Sequence, residues 1–260
     1  MSDIRMRQIC LVAHDLDRIQ KQIESVFGVE VCFRDPGVGR HGLHNMLLPF
    51  GNQLLETVSP KPGEHDTAGG RYLQRRGGDG GYMVIMQVPR AAYSSYRARV
   101  DEMGIRLVAE PGEGEKGVGI QLHPKDLPGG IQELRWNEDE ARDDGAWWPA
   151  GENWQRAKRT EIVDGIRAAE IQTEDPAALA GRWSEVLDEP VGTDVAGNPC
   201  VALSDAEVRF VPVRDGRGEG LAGLDIQATD ANRALANAEA IGCRTGEDLI
   251  TICGMRLRLV

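Results

Sequence analysis

Four short stretches of the chain share one pattern, an alternating strand-like run that leads into a segment with helical spacing. A repeated supersecondary unit of this kind limits the folds open to the whole chain. Further strand-like sequence follows each helical segment, so each unit reads as strand, helix, then two or three strands. The stretches are QICLVAHDL (8–16), MVIMQVPRA (83–91), AAEIQTEDP (168–176) and GLDIQATDA (223–231).

The first unit illustrates the pattern. The run QICLVAH (8–14) reads as a strand with two distinct faces, because strand side chains alternate with a period of two. Apolar residues at helical spacing follow, and Gly28 ends them as a C-terminal cap would. Further on, two apolar runs flank Gly51 and Asn52, which predicts a β-hairpin.

Composition indicates a soluble globular protein. Of the 260 residues, 41% are hydrophobic, which is enough to build real cores. The formal net charge of -11 argues against a nucleic-acid partner, because binding to a phosphate backbone needs clustered basic charge. The five cysteines are odd in number and lack a CxxC spacing, so no disulfide framework or zinc knuckle is expected. With no apolar signal core and no membrane-length apolar run, we expect a cytoplasmic protein.

Four motifs in the first half carry a family resemblance: VAHDLD (12–17), LLETVSP (54–60), RRGGDGGYMVIMQV (75–88) and HPKDLPGGIQEL (123–134). Together they resemble the vicinal oxygen chelate superfamily of glyoxalases, bleomycin-resistance proteins, extradiol dioxygenases and methylmalonyl-CoA epimerases. The likeness is closest to the epimerases, over residues 6–137, and residues 164–260 resemble a second, more diverged copy. The resemblance implies an α+β fold in which four βαβββ modules form two half-open barrels around cavities.

The resemblance also divides the chain. It implies an N-terminal bimodular glyoxalase-like domain at 1–138, a linker at 139–163, and a shorter, diverged bimodular domain at 164–260. The linker begins with an acidic, polar run. It contains three of the five tryptophans, Trp147, Trp148 and Trp154. Because aromatic surface is costly to leave in water, we expect the linker to pack against a domain or partner surface, with ligand binding by the rings as the alternative.

Members of the superfamily commonly hold a divalent metal, and the resemblance places its ligands in the first half at Gln8, Gln53, Met83 and Glu133. Glutamine carbonyls are weak neutral ligands, and a thioether is too soft for most divalent ions. Only Glu133 supplies charge. No confident metal site is therefore expected, and no cofactor, although a divalent metal recruited by other residues stays open.

The matching positions of the second half are Ala168, Arg209, Gly223 and either Arg256 or Arg258. Arginine side chains at these places would repel a cation. An iron site of the extradiol type is therefore not expected in this half.

The histidines available to recruit a metal off the family pattern are His14, His41, His44, His65 and His123. If the hairpin turn has two residues, His44 and Phe50 share a strand face with Gln53 and point toward the cavity. His123 lies in the loop before the last motif strand, where turn formation and substrate contact both stay open. His65 is expected on a surface loop.

Glu133 is the leading candidate for acid–base chemistry. It shares a strand face with Arg135, and the resemblance makes that the cavity face. A carboxylate in an apolar cavity has a raised pKa, which suits it to take a proton from a carbon acid, and Arg135 would hold an anionic substrate group. The alternative is that the two side chains only neutralise each other. Glu56 has the opposite parity from Gln53 and is expected to face helices or solvent.

The glycine-rich stretches RRGGDGG (75–81) and GRGEG (216–220) lead into strands, unlike a dinucleotide-binding motif, which opens a helix. They read as flexible connections, which would leave Arg75 and Arg76 open to a substrate carboxylate or to the phosphates of coenzyme A.

Two functions follow. The first is a glyoxalase-like or epimerase-like lyase or isomerase that moves a proton next to a carbonyl of a small carboxylate or acyl-CoA, with Glu133 and His44 as catalytic residues. Its predicted substrate-binding residues are Gln8, Gln53, Met83, Arg135, Phe50 and His123. The second is a non-catalytic protein that binds or sequesters a small molecule. The last motif favours the enzyme. Either would act on a small molecule, without nucleic acid or membrane, as a monomer or homodimer.

Overall fold

A computed structural model describes residues 2–64, 66–112 and 114–260. His65, expected on a surface loop, lies outside the described residues. The strands of these described residues form two open seven-stranded sheets, and each half of the chain supplies one of them. No described helix combines the length and the apolar character needed to cross a membrane.

The first sheet has the strand order β2-β3-β1-β4-β7-β6-β5. Its central strands β1 and β4 are antiparallel, and they pair in parallel with β3 and β7. The elements of this half are β1 (Arg5–Val12), α1 (Leu16–Phe27), β2 (Leu43–Phe50), β3 (Gln53–Pro60), α2 (Ala68–Arg76), β4 (Gly80–Gln87), α3 (Tyr93–Glu102), β5 (Leu107–Ala109), β6 (Gly117–Leu122) and β7 (Ile131–Asn137).

The second sheet has the order β13-β14-β12-β8-β11-β10-β9, again with an antiparallel central pair, β8 and β12. The four strand-like stretches of the sequence thus form the central strands of both sheets, and each leads into a helix. The elements of this half are β8 (Val163–Thr173), α4 (Pro176–Leu187), β9 (Val191–Thr193), β10 (Pro199–Ala202), β11 (Glu207–Pro212), β12 (Gly220–Ala228), α5 (Ala231–Ala240), β13 (Leu249–Ile252) and β14 (Met255–Leu259).

Local signals in the sequence set the first helix and hairpin. The Asp15 carboxylate accepts the Arg18 N–H at the start of α1, and Gly28 ends the helix with a φ of 67°. The predicted turn at Gly51 and Asn52 is confirmed, since β2 and β3 are antiparallel neighbours on either side of it. These local signals therefore set the two ends of α1 and the turn between β2 and β3.

One hydrophobic core runs through both halves. It joins Phe50 of the first sheet to Phe210 of the second, with buried residues of α1, α4 and α5 between them. Helix α1 packs against α5, and α3 packs against α4. The ring of Phe50 lies edge-to-face against Phe27 of α1, with centroids 5.4 Å apart. The helix-facing sides of both sheets are therefore buried in a shared interior.

The two glycine-rich stretches hold the halves together. Arg76 is buried, and its Nη1 donates to the carbonyls of Arg217, Gly218 and Glu219 at 2.8, 2.9 and 3.1 Å. In return, Arg217 Nη1 donates to the Asp79 carbonyl at 2.7 Å. Arg76 therefore binds the opposite half of the chain instead of facing a substrate.

Candidate functional site

The face of the first sheet that carries Cys10 is here called the inner face. Strand register places Glu56 and Met83 beside Cys10 on the neighbouring strands, and Glu133 beside Ile85 on β7. The apolar members of this set form a cluster separate from the shared core. The inner face is therefore the side of the sheet that the helices of the core leave uncovered.

The chain segment that links β7 to β8 covers the inner face, and its residues 139–159 are here called the strap. Trp147 and Trp154 are each 1% exposed and pack in the inner-face cluster. The indole Nε1 of Trp147 donates to Gln8 Oε1 at 2.7 Å. The prediction that these tryptophans pack against a domain surface is confirmed, and the chain's own rings fill the space above Gln8.

Glu56 is a buried acidic residue of the inner face, on β3. It is 7% exposed, and its two oxygens accept from Gln8 Nε2 at 2.8 Å and Asn45 Nδ2 at 2.6 Å. Burial raises the pKa of Glu56, and the hydrogen bonds from Asn45, Cys10 and Gln8 offset part of that rise. The expectation that Glu56 faces helices or solvent is wrong, because β3 pairs with β1 so that Leu54 lies beside Gln8 and Glu56 beside Cys10.

The same register turns Gln53 and Phe50 away from the inner face. The Gln53 amide exchanges two hydrogen bonds with the backbone of Ile166 in the other half, at 2.8 and 2.6 Å. Phe50 is buried in the shared core. The expectation that both face the cavity is wrong. Each face of β3 carries both apolar and polar residues, so the sequence pattern does not show which of them the helices cover.

His44 also lies away from Glu133. It pairs with Ser59 on β3 and lines, with His14, a surface depression of about 400 Å³ at the start of α1. His14 Nδ1 lies 2.9 Å from Asp79 Oδ1. The predicted pairing of His44 with Glu133 in one cavity is therefore wrong.

His123 makes the contacts of a turn residue. Its Nδ1 accepts the Lys125 N–H at 3.2 Å, and its carbonyl accepts the N–H groups of Asp126 and Leu127. Of the two roles that the sequence left open, turn formation is the one that these contacts support.

Glu133 is buried on the inner face as part of an ion pair. Its Oε1 accepts from Arg135 Nε at 2.7 Å, and its Oε2 accepts from Gln121 Nε2 at 2.8 Å. Gly119 makes room for the pair, because a Cβ there would lie 2.7 Å from Glu133 Oε1. The structure therefore has the contact that the sequence left open as the alternative, in which Glu133 and Arg135 neutralise each other.

The oxygen donors of the inner face do not fit a divalent metal. Arg135 neutralises Glu133, Trp147 donates to the Gln8 oxygen, and side-chain amides donate to both oxygens of Glu56. Met83 is the other residue of this face at which the resemblance placed a metal ligand, and it offers a soft thioether. Among the described residues, no group of three or more His, Cys, Asp or Glu side chains could hold a metal ion.

The equivalent face of the second sheet is a network of ion pairs. Arg209 binds both oxygens of Asp225 at 2.9 and 3.0 Å, and Arg256 Nη2 binds Glu170 at 2.8 Å. Burial raises the pKa of Glu170, but the hydrogen bond from Arg256 and the charges of both arginines lower it further, so that the net shift is downward. The sequence located the arginines but missed their acidic partners. With its carboxylates already neutralised, this face does not fit a cation either.

Comparison with known proteins gives a family and a fold. The family model for a glyoxalase-like domain matches residues 9–187. A search of curated proteins gives no match. A hypothetical protein from Staphylococcus aureus is 12% identical, with 99% of each chain covered and a TM-score of 0.65. A mutant 4-hydroxymandelate synthase from Streptomyces coelicolor is 15% identical, with 95% of this chain and 78% of that one covered and a TM-score of 0.67.

A methylmalonyl-CoA epimerase from Streptomyces coelicolor, in complex with 2-nitronate-propionyl-CoA, is 23% identical over 52% of this chain and 97% of its own, with a TM-score of 0.44. For the Staphylococcus aureus protein and the 4-hydroxymandelate synthase, identities of 12% and 15% make the structural likeness evidence of fold alone. The two matches that extend over nearly the whole chain agree with the predicted α+β architecture.

Proposed function

The chain belongs to the glyoxalase-like domain family, as its motifs predicted, and on that premise we propose that it is an enzyme that moves a proton next to the carbonyl group of a small molecule. One observation carries the proposal. Glu56 is a carboxylate buried on an otherwise largely apolar face, and its two oxygens are oriented by the amides of Gln8 and Asn45.

The environment of Glu56 suits general base catalysis. Burial raises the pKa of Glu56, so its ionised form binds a proton more strongly than an exposed carboxylate does. In the proposed step, the C–H bond next to the substrate carbonyl breaks, the proton passes to a Glu56 oxygen, and the electron pair moves onto the carbonyl oxygen. Gln8 and Asn45 then donate less to the neutral carboxyl, and their N–H groups are free to stabilise the enolate.

Glu56 suits this role better than Glu133, the residue that the sequence favoured. Proton transfer to Glu133 would break its 2.7 Å ion pair and leave the Arg135 charge buried without its carboxylate. Glu133 and Arg135 instead form a charged part of the inner face on β7, with β1 and β4 between them and the strand of Glu56.

A substrate reaches Glu56 when the strap moves. Trp147 lies over Gln8, and a cavity of about 290 Å³ is already present within the strap beside Trp147, Trp154 and Gly145. Closure of a covering segment over a bound substrate is a common way to exclude water from a reaction that forms a carbanion.

Binding without catalysis is the second candidate function. The inner face is lined by a continuous apolar cluster that includes Val12, Leu54, Met83 and Ile131. Such a surface suits a small apolar ligand held by one or two polar anchors.

Solvent deuterium exchange separates the two functions. The protein is incubated in D2O with a panel of acyl-CoA and α-hydroxy-carbonyl compounds, and deuterium next to the carbonyl is measured by NMR. We expect exchange with at least one compound, and a loss of about 100-fold or more in Glu56→Gln. Glu133→Gln is the matched control, and its exchange rate should fall less than that of Glu56→Gln. Equal exchange in wild type and Glu56→Gln would contradict the role of Glu56, and binding without exchange would favour sequestration.

A further inference from the structure

Arg7 is a fully buried cation on the inner face. Arg7 lies beneath the strap, at a bulge between Met6 and Gln8 where the pairing of β1 with β4 shifts register. The residue is 0% exposed, its Nη1 donates to Gln87 Oε1 at 2.9 Å, and its Nη2 donates to the strap carbonyl of Gly145 at 3.3 Å. Its Nε has no hydrogen-bond partner among the described residues.

Arg7 also lacks a carboxylate within 4.0 Å in the described part of the chain. Asp143, Asp144 and Asp205 lie close enough to influence its charge, but Asp143 and Asp205 pair with Arg5, and Asp144 pairs with Arg142. Burial lowers the pKa of Arg7 to about 9, and the positive charge of Arg5 adds to that effect. A buried charge without an opposite charge in contact is unfavourable, and most such groups have a partner.

The rings of Trp147 and Trp154 compensate only part of this cost. Their centroids lie 5.0 and 5.9 Å from the Arg7 guanidinium, within range of a cation–π interaction. Both rings belong to the strap, as does the Gly145 carbonyl. When the strap lifts, Arg7 loses these contacts and keeps only its bond to Gln87.

The edge of the guanidinium formed by Nε and Nη2 has the shape that binds a carboxylate with two parallel hydrogen bonds. In Arg7 that edge holds one long bond to a carbonyl and one N–H without a partner. We infer that Arg7 is the anchor for a carboxylate group of the substrate, which replaces the Gly145 carbonyl when the strap lifts.

This inference rests on the proposed function, because it places the substrate on the same face, and it names the substrate class. Arg7 directly precedes Gln8, whose amide binds Glu56. Trp147, whose ring lies over Arg7, also donates to Gln8, so a short carboxylate bound to Arg7 lies under the same part of the strap as Gln8, the residue that binds Glu56. The substrate class is a small organic acid with an acidic C–H near its carboxylate.

Binding of malonate and succinate tests the anchor, with malonamide and succinamide as uncharged controls. Tryptophan fluorescence reports binding, because Trp147 and Trp154 lie against Arg7. We expect a saturable change with either dicarboxylate and none with the amides. Arg7→Met should weaken binding at least tenfold. Arg156→Met removes an exposed strap arginine that is not part of the strap cavity lining, and it should bind as the wild type does.

Two results would overturn the anchor: no saturable change in the wild type, or equal affinity in Arg7→Met. Should circular dichroism show that Arg7→Met is unfolded, Arg7→Lys decides, because lysine keeps the charge but not the two-pronged edge. We expect at least threefold weaker binding in Arg7→Lys, and unchanged affinity contradicts the inference. Glu56→Gln should keep dicarboxylate binding, so a failure of the anchor and a failure of proton transfer are seen separately.

Discussion

Trp147 donates its indole N–H to Gln8 Oε1 at 2.7 Å, which joins the strap to the residue that also holds Glu56. Gln8 uses its oxygen for the strap and its nitrogen for the buried acid. The position of the strap and the orientation of the Glu56 carboxyl therefore depend on the same side chain.

Trp147→Phe should weaken the strap. The substitution removes the donor and leaves Gln8 Oε1 buried without a partner, which costs ~1–3 kcal/mol in the free energy of unfolding. Urea denaturation measures the loss, and limited proteolysis should cut the strap sooner. Trp148→Phe is the control, because Trp148 Nε1 has no hydrogen-bond partner among the described residues. Equal losses in the two variants would show that the bond to Gln8 contributes nothing.

The stability of the protein should respond to pH through Glu56. The pKa of Glu56 is raised in the folded state from an ordinary value of 4.5, so the folded state holds this proton at pH values where the unfolded chain has released it. The contribution of Glu56 to the free energy of unfolding is therefore greatest at low pH and falls as pH rises from about 4.5 through the folded pKa.

Glu56→Gln removes this titration. Relative to the wild type, the variant should become progressively more stable as pH rises through that window. Urea denaturation of both proteins from pH 4 to pH 8 measures the difference in unfolding free energy. A difference that stays constant with pH contradicts a raised pKa at Glu56.

Arg76→Met should loosen the contact between the halves. The variant leaves the carbonyls of residues 217, 218 and 219 without their common donor, and the expected loss in unfolding free energy is ~2–4 kcal/mol. Arg75→Met is the matched control, since the Arg75 guanidinium lies over the Tyr72 ring, 5.4 Å from its centroid, and should cost ~1 kcal/mol or less. Chemical denaturation compares them, and similar losses would argue against the contact.

Gly51→Ala should be among the most damaging small substitutions. Gly51 has a φ of 60°, and an added Cβ would lie 1.7 Å from the Asp164 carbonyl oxygen, so the hairpin or the start of β8 has to move. We expect a loss above ~4 kcal/mol, or no folded protein. Gly63→Ala also has a positive φ, 87°, but an added Cβ there would meet no described atom within 4 Å, and the variant should lose only ~1 kcal/mol. Thermal denaturation of both variants measures the cost of the steric contact, because only Gly51→Ala creates one.

The sequence predicted those parts of the fold that local signals determine. Gly28 marked the end of α1, and Gly51 marked the hairpin turn. Helix α2 was missed because its sequence contains two glycines and its signals are only a capping hydrogen bond at Thr67 and a left-handed residue at Gly77.

The candidate site was harder to predict because both faces of its strands are buried. Leu55 on one face of β3 and Leu54 on the other are equally apolar, so no alternation distinguishes the face of Glu56 from that of Gln53. Arg7 was missed because a bulge breaks the alternation of β1 at that residue. The tryptophans of the strap did give a usable signal, since three aromatic rings in a polar segment indicate packing.

Direct titration of the Glu56 carboxyl tests its proposed role. Carbon-13 NMR of glutamate side-chain carboxyls, recorded against pH for the wild type and for Glu56→Gln, assigns one resonance to Glu56 by its absence in the variant. We predict that this resonance titrates above the ordinary glutamate value of 4.5, since burial raises its pKa. A Glu56 resonance that titrates at or below 4.5 contradicts its assignment as the proton-transferring base.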